Sequence, residues 1–174
     1  MFAEVYLKTI VITGGPCAGK TSALSCVRER LEQAGYVPII IPEAATDLIL
    51  DGVAPWTCSS VLDFQTRVIA LQLEREADAM QQAEQSAHDA GLSGTLSDEK
   101  LVIICDRGVC DSHAYLTDEE FSYALVANGL DEMRALARYD AVFHLESIAK
   151  EDPSAYTRGN NEARFEDAAE AADA

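Results

Sequence analysis

The stretch Gly14-Gly15-Pro16-Cys17-Ala18-Gly19-Lys20-Thr21 carries the strongest chemical signal in the chain, a G-x-x-x-x-G-K-T spacing followed by Ser22. Glycines let a backbone curl tightly and turn successive N–H groups toward one anionic centre. A lysine at this spacing reaches the β- and γ-phosphates of a nucleoside triphosphate, and the next Thr offers a hydroxyl to Mg²⁺. Such a loop works only between a strand and a helix. Thr9-Ile10-Val11-Ile12 is an apolar run before it, and a helical pattern begins at Thr21. The segment therefore reads as a phosphate-binding P-loop, with residues Gly14 to Ser22 around a nucleotide and the helix dipole adding positive potential.

A second candidate lies far along the chain. Leu101-Val102-Ile103-Ile104-Cys105-Asp106 is apolar until it ends in an acid. Beside a P-loop, such an aspartate is the expected second anchor for Mg²⁺ together with Thr21; the plainer reading is a cap toward Val109. Cys17 sits near a helix N-terminus, which lowers a thiol pKa, although a small residue filling the loop explains it equally. His113 and His144 have no acid or Cys at ligand spacing and read as satisfied, partly buried imidazoles rather than metal ligands. Trp56 reads as core or rim packing, with stacking on a substrate as the alternative.

The elements that must position these residues alternate strand and helix, which implies parallel strands and an α/β fold. The first strand runs from about Leu7 to Thr13 and is expected to be buried on both faces. Leu24, Val27, Leu31 and Ala34 mark the helix after the loop, and Gly35 is its natural stop. Tyr36 to Ile41 is the second strand. Pro38 and Pro42 place it at a sheet edge, because proline cannot donate to the ladder. Glu43 lies just past its end. A short helix over Thr46 to Leu50 follows, then a long one from Ser59 or Ser60 toward His88, with Phe64, Val68, Leu71 and Arg75 expected inward. Its turns beyond Met80 are expected to be solvated. Leu101 to Asp106 is the third strand; Thr117 to Glu120 opens a helix with a capping box that stops at Asn128-Gly129. Asp131 caps another helix, and Asp140 to Glu146 is the fourth strand.

A length of 174 residues suits one domain, and 48% hydrophobic content excludes disorder for most of it. Thirty acidic against 13 basic residues give a formal charge of −17, which argues against nucleic acid and anionic membrane faces as partners. Five cysteines without metal spacing suggest reduced thiols and a cytoplasmic setting. No apolar run approaches transmembrane length, and the first residues do not read as a secretory signal.

Beyond the loop, several short stretches agree with one family across nearly the whole chain: IPEAAT (Ile41 to Thr46), DFQTRV (Asp63 to Val68), CDRGVCDSHAYL (Cys105 to Leu116), HLES and NNEARFEDA. They resemble the NadR-like AAA ATPase domain family, which includes the TRPL translocation defect protein and is similar in architecture to nucleoside kinases. The resemblance implies a three-layer P-loop NTPase sandwich with strand order 2-3-1-4-5, and binding of Mg²⁺ with ATP or GTP. It implies that Glu43 is a carboxylate base, or holds a water of the metal, at the acceptor. It likewise gives Asp106-Arg107 as an acid–Arg pair, Gln65 as a nucleobase contact, and Arg158 and Arg164 as lid residues over the phosphates. Each has a plainer reading: Glu43 as a helix-start acid, Gln65 as polar surface, the arginines as ion pairs. Residues 150–174 are the expected lid and terminal helix. The family continues into a fifth strand beyond the position of Ala174, so the single domain is expected to be incomplete at its C-terminal end.

Two functions follow as expectations. The first is a small-molecule kinase acting on an unidentified nucleoside-like or cofactor-precursor acceptor, with Lys20, Glu43, Asp106, Arg107, Arg158 and Arg164 as the working residues. The alternative is a nucleotide-binding regulatory module acting on a protein or lipid; an inactive fragment is the third and blandest reading. An uncovered fourth-strand edge, with Val142, Phe143 and Leu145, invites homodimerisation.

Overall fold

Apolar runs without alternation make strands that must be covered on both faces, and the central strands are so covered, with Val11, Ile12, Ile103 and Ile104 all buried. The computed structural model describes residues 7–15, 18–89 and 100–146. Strands β1 (Lys8–Gly14), β2 (Tyr36–Ile41), β3 (Lys100–Asp106) and β4 (Ala141–Leu145) form one parallel sheet in the order β2-β3-β1-β4. This is the expected α/β sandwich, with β2 at an edge among the described strands. In the register, Ile41 faces Cys105 and Cys105 faces Val11. The chain therefore leaves β1, β2 and β3 at the same end of the sheet, where ligands of parallel sheets collect.

Side chains on a strand alternate faces, and the two sets are covered by different helices. Ile12, Val102 and Ile104 pack under Leu24, Val27 and Leu31 of α1 (Lys20–Gln33). Val11, Ile41, Ile103 and Cys105 turn the other way and meet Ala79 of α3 (Val61–Asp89). Between them α2 (Ala44–Leu50) begins one residue after Glu43 and two residues before the expected start. Past β3 come a 3₁₀ helix (Val109–Tyr115), α4 (Asp118–Ala127) and α5 (Glu132–Leu136). These pack on α3 through Ile69, Val109, Phe121, Ala124, Leu125 and Ala135. Both expected helix starts hold: Thr117 and Glu120 form a capping box at α4, and Asp131 caps α5 by accepting the Arg134 N–H at 2.8 Å.

The inward face of α3 departs from expectation. Its buried residues are Phe64, Gln65, Ile69, Gln72, Glu76, Ala79 and Ala83, whereas Val68, Leu71 and Arg75 are only partly buried. Of the residues expected inward, Phe64 is buried. Here Gln72 and Glu76 take core positions because their polar atoms are satisfied internally, which removes the usual penalty for burying them. Ala83 extends this face past Met80, into turns expected to be solvated. Trp56 stands on the rim at 61% exposure, not in the core. His113 and His144 are exposed and not partly buried; His113 stacks on Phe121 and its Nε2 pairs with Asp118 at 2.8 Å. The expected fifth strand, lid and terminal helix lie outside the described residues.

Gly14 closes β1 and opens the loop. Its φ is 140°, and a Cβ there would stand 2.2 Å from the Leu145 carbonyl oxygen on β4. Both the backbone region and the space require glycine. Gly14→Ala is expected to destabilise the domain by about 2–5 kcal/mol, from backbone strain plus steric overlap. A urea unfolding curve with a lowered midpoint and unchanged slope checks this; a change below about 1 kcal/mol would contradict it.

Candidate functional site

Three elements deliver charged groups to the carboxyl end of the sheet. The first turn of α1 brings Lys20, the residues after β2 bring Glu43, and the end of β3 brings Asp106 and Arg107. Gly19, at φ 78°, caps α1 without a side-chain hydrogen bond. The leading N–H groups of a helix have no partner within it, so this terminus presents free donors. Thr21 and Ser22 are exposed on its first turn. Pro16 and Cys17 of the loop, and Arg158 and Arg164, lie outside the described residues.

Lys20 is turned back on its own loop. Its Nζ donates to the carbonyls of Gly14 at 2.7 Å and Gly15 at 3.0 Å. Burial, then the nearby Arg107 charge, pull its ammonium below the ordinary lysine value, against the pull of Glu43, Asp106 and Asp111. An ammonium held this way is poised for a stronger anionic partner.

Asp106 is the reverse case. Its Oδ1 is buried with no hydrogen-bond partner among the described residues. Burial first, and the Glu43 charge second, push its carboxyl up to about 6 from an ordinary 3.8. A buried, unpaired carboxylate oxygen opens a place for a proton or a cation. The donor set fits Mg²⁺, a hard ion that takes one or two protein oxygens and leaves other positions to phosphate and water. Asp106 Oδ1 and the Thr21 hydroxyl are the residues that would hold it.

The raised value has a stability consequence. Between about pH 4 and 6 the folded state binds more protons here than the unfolded state, so this group destabilises the fold as pH rises through 6. Asp106→Asn is expected to stabilise the unliganded domain at pH 7.5 by about 1–2 kcal/mol, discounted for partial exposure, and by little at pH 4.5. Paired urea curves at the two pH values measure it; equal effects at both would contradict the cause given.

Glu43 and Arg107 form one polar unit. Arg107 Nε donates to Glu43 Oε1 at 2.5 Å, and the Thr46 hydroxyl donates to Glu43 Oε2 at 2.8 Å. Arg107 Nη1 reaches Asp111 Oδ1 at 3.3 Å, and the Thr13 hydroxyl donates to the same oxygen. The other Asp111 oxygen accepts the Gly108 N–H at 2.8 Å. Burial alone would lower the Arg107 pKa, but Glu43, Tyr115 and Asp111 hold the guanidinium above its ordinary value. Arg107 is also the one described non-glycine residue with positive φ, at 68°. That conformation is fixed by its N–H donating to the Ile12 carbonyl at 3.0 Å and by the two carboxylates. Residues from the ends of β1, β2 and β3 are thus tied through one guanidinium.

Of the residues expected at the site, Lys20, Glu43, Asp106 and Arg107 converge. Gln65 is buried on α3 and makes none of these hydrogen bonds. Thr13, Thr46 and Asp111 belong to the cluster without having been expected. Asp111 lies four residues after Arg107 in DRGVCD, a spacing at which an acid and an arginine meet on an α-helical path.

Beneath the turn lies a second, buried network. Glu76, 1% exposed, accepts from Gln72 Nε2 at 2.9 Å, from Tyr139 Oη at 2.7 Å and from the Arg138 guanidinium. Tyr139 Oη in turn accepts the Val109 N–H at 2.8 Å. A Cβ on Gly108 would stand 3.0 Å from the Tyr139 ring. α3 therefore grips the segment just after Arg107 through Tyr139. Arg75 adds a nearer tie, donating to the Pro42 carbonyl at 3.1 Å and to Asp47 at 2.6 Å.

With the geometry in place, comparison with known proteins adds a family. The model of a family described as an AAA domain matches residues 9–174. No curated protein matches the chain.

Proposed function

From the premise that the chain belongs to this AAA domain family, and is thereby a nucleotide-binding P-loop domain, we propose that it is a Mg²⁺-dependent phosphotransferase. It would move the terminal phosphoryl group of ATP or GTP to a hydroxyl of a small molecule, nucleoside-like or a cofactor precursor. The observation that carries this reading is the convergence of Lys20, Asp106 and the Glu43–Arg107 pair at one end of the sheet. A nucleotide-binding loop alone explains the first two. A fixed carboxylate beside them suits an acceptor hydroxyl.

In this reading Lys20 leaves the Gly14 and Gly15 carbonyls for the β- and γ-phosphate oxygens, exchanging two neutral acceptors for charged ones. Bound Mg²⁺ supplies charge neutralisation at the phosphates. Arg107 and Thr46 donate to Glu43 and fix its carboxylate in place, yet each oxygen keeps a free lone pair for the acceptor proton. Arg107 orients Glu43, and Gln65 lies on the α3 side where an acceptor enters. Arg158 and Arg164, within the proposed lid over residues 150–174, would meet the transferring phosphoryl group. Likeness to the NadR-like members, a cytoplasmic location and dimerisation through β4 belong to the same reading.

The experiment is transfer of labelled γ-phosphoryl from Mg·ATP and Mg·GTP to a panel of nucleosides and cofactor precursors. A phosphorylated acceptor is expected, with Glu43→Gln reducing transfer about 10²–10⁴-fold and nucleotide affinity unchanged within about twofold. Normal turnover in Glu43→Gln would reduce that residue to a helix-start acid. A regulatory module is the second reading. What favours it is an apolar strip on α4 and α5, where Tyr123, Val126, Met133 and Leu136 are 64%, 69%, 82% and 71% exposed. No transfer to any acceptor, with label released only as inorganic phosphate, would favour the module.

A further inference from the structure

Asp106 Oδ1 has no hydrogen-bond partner among the described residues, although a guanidinium, the best available partner for a carboxylate, belongs to the very next residue. Arg107 is instead directed away, to Glu43 and Asp111. Glu43 accepts from Nε through one oxygen, and its second oxygen accepts from Thr46. Asp111 supplies the remaining hold on Nη1. It is itself immobilised from two sides, by the Thr13 hydroxyl at the end of β1 and by the Gly108 N–H.

We propose that Asp111 is a positioning residue that keeps the Arg107 guanidinium off Asp106, and so keeps Asp106 Oδ1 open for Mg²⁺. Asp111 touches neither nucleotide nor metal in this arrangement; it acts through Arg107. Without its charge, Nη1 loses its ionic partner, and the one unpaired buried carboxylate oxygen among the described residues is that of Asp106, on the neighbouring residue. An Arg107–Asp106 pair would then compete directly with the metal. Thr13 serves the same end by fixing the Asp111 carboxylate from the end of β1.

This inference rests on the metal role proposed for Asp106, and the test separates the two. Affinity for ATP is measured calorimetrically on the full chain, with a Mg²⁺ titration and with EDTA, for wild type, Asp106→Asn, Asp111→Asn and the double variant Arg107→Gln/Asp111→Asn. Asp111→Asn is expected to raise the half-saturating Mg²⁺ concentration about 10–100-fold, the range seen when residues supporting a metal ligand are lost. Its affinity for ATP in EDTA should change less than about twofold. A purely structural role would weaken ATP binding in EDTA as well as with Mg²⁺. In the double variant the competing guanidinium is gone, so Mg²⁺ dependence should return toward the wild-type value. Asp111→Ser, which retains an acceptor for the Gly108 N–H, gives a second neutral variant where Asp111→Asn folds poorly. If Asp106→Asn loses Mg²⁺ dependence but Asp111→Asn and Asp111→Ser keep it, the positioning role is wrong and the Asp106 reading stands. A wild type whose affinity ignores Mg²⁺ overturns both.

Discussion

Lys20→Ala is expected to weaken binding of Mg·ATP or Mg·GTP by at least about 100-fold, with the fold retained. Two charge-assisted hydrogen bonds to phosphate oxygens contribute about 1.5–3 kcal/mol each, and about 1.4 kcal/mol is tenfold in affinity. The loop's N–H groups and the α1 terminus remain, so weak residual binding is expected rather than none. Stability should change by no more than about 1 kcal/mol. Among the described residues, Lys20 bonds to two loop carbonyls, and its burial disfavours the charge it carries. Calorimetry on the variant measures this. An affinity within threefold of wild type would mean that Gly14 to Ser22 does not hold a triphosphate.

The second large effect is on stability. Glu76→Ala is expected to destabilise the domain by about 3–5 kcal/mol, because it leaves a guanidinium and a phenol without their buried acceptor. Against a total stability of about 5–15 kcal/mol, that removes much of the margin. The damage should reach the site as well. Tyr139 would lose the acceptor that orients its hydroxyl toward the Val109 N–H, and Val109 stands two residues from Arg107. Urea unfolding gives the energy; a loss below about 1 kcal/mol would show that Arg138 and Tyr139 find other acceptors.

Most of the site was legible because P-loop chemistry fixes both residue types and places. The glycine-lysine spacing, an acid at the end of an apolar run and an acid after the neighbouring strand all mark strand ends, and parallel strands bring their ends together. The edge position of β2 followed from Pro38 for an equally local reason. What could not be read depends on partners distant in sequence. Gln72 and Glu76 look like the solvated side of a helix until Arg138 and Tyr139 are folded against them, so the expected inward face of α3 holds at Phe64 and departs beyond it. The 3₁₀ helix after β3 leaves no apolar period to detect. Arg107 in the left-handed region is held there by Ile12, Glu43 and Asp111, none of them adjacent in sequence. Asp111 was missed as a consequence, since its importance comes from Thr13 and Arg107 together.

The most direct test of the strand-end site is a calorimetric titration of nucleotide into wild type and Asp106→Asn, each with Mg²⁺ and with EDTA. Wild type should bind ATP or GTP at least about tenfold more tightly with Mg²⁺, the scale of one charged ligand interaction. Asp106→Asn should show nearly the same affinity with and without the ion, close to that of wild type in EDTA. An Asp106→Asn variant that keeps the full Mg²⁺ effect, or a wild type that binds neither nucleotide, would contradict the assignment of this cluster as a Mg²⁺-nucleotide site.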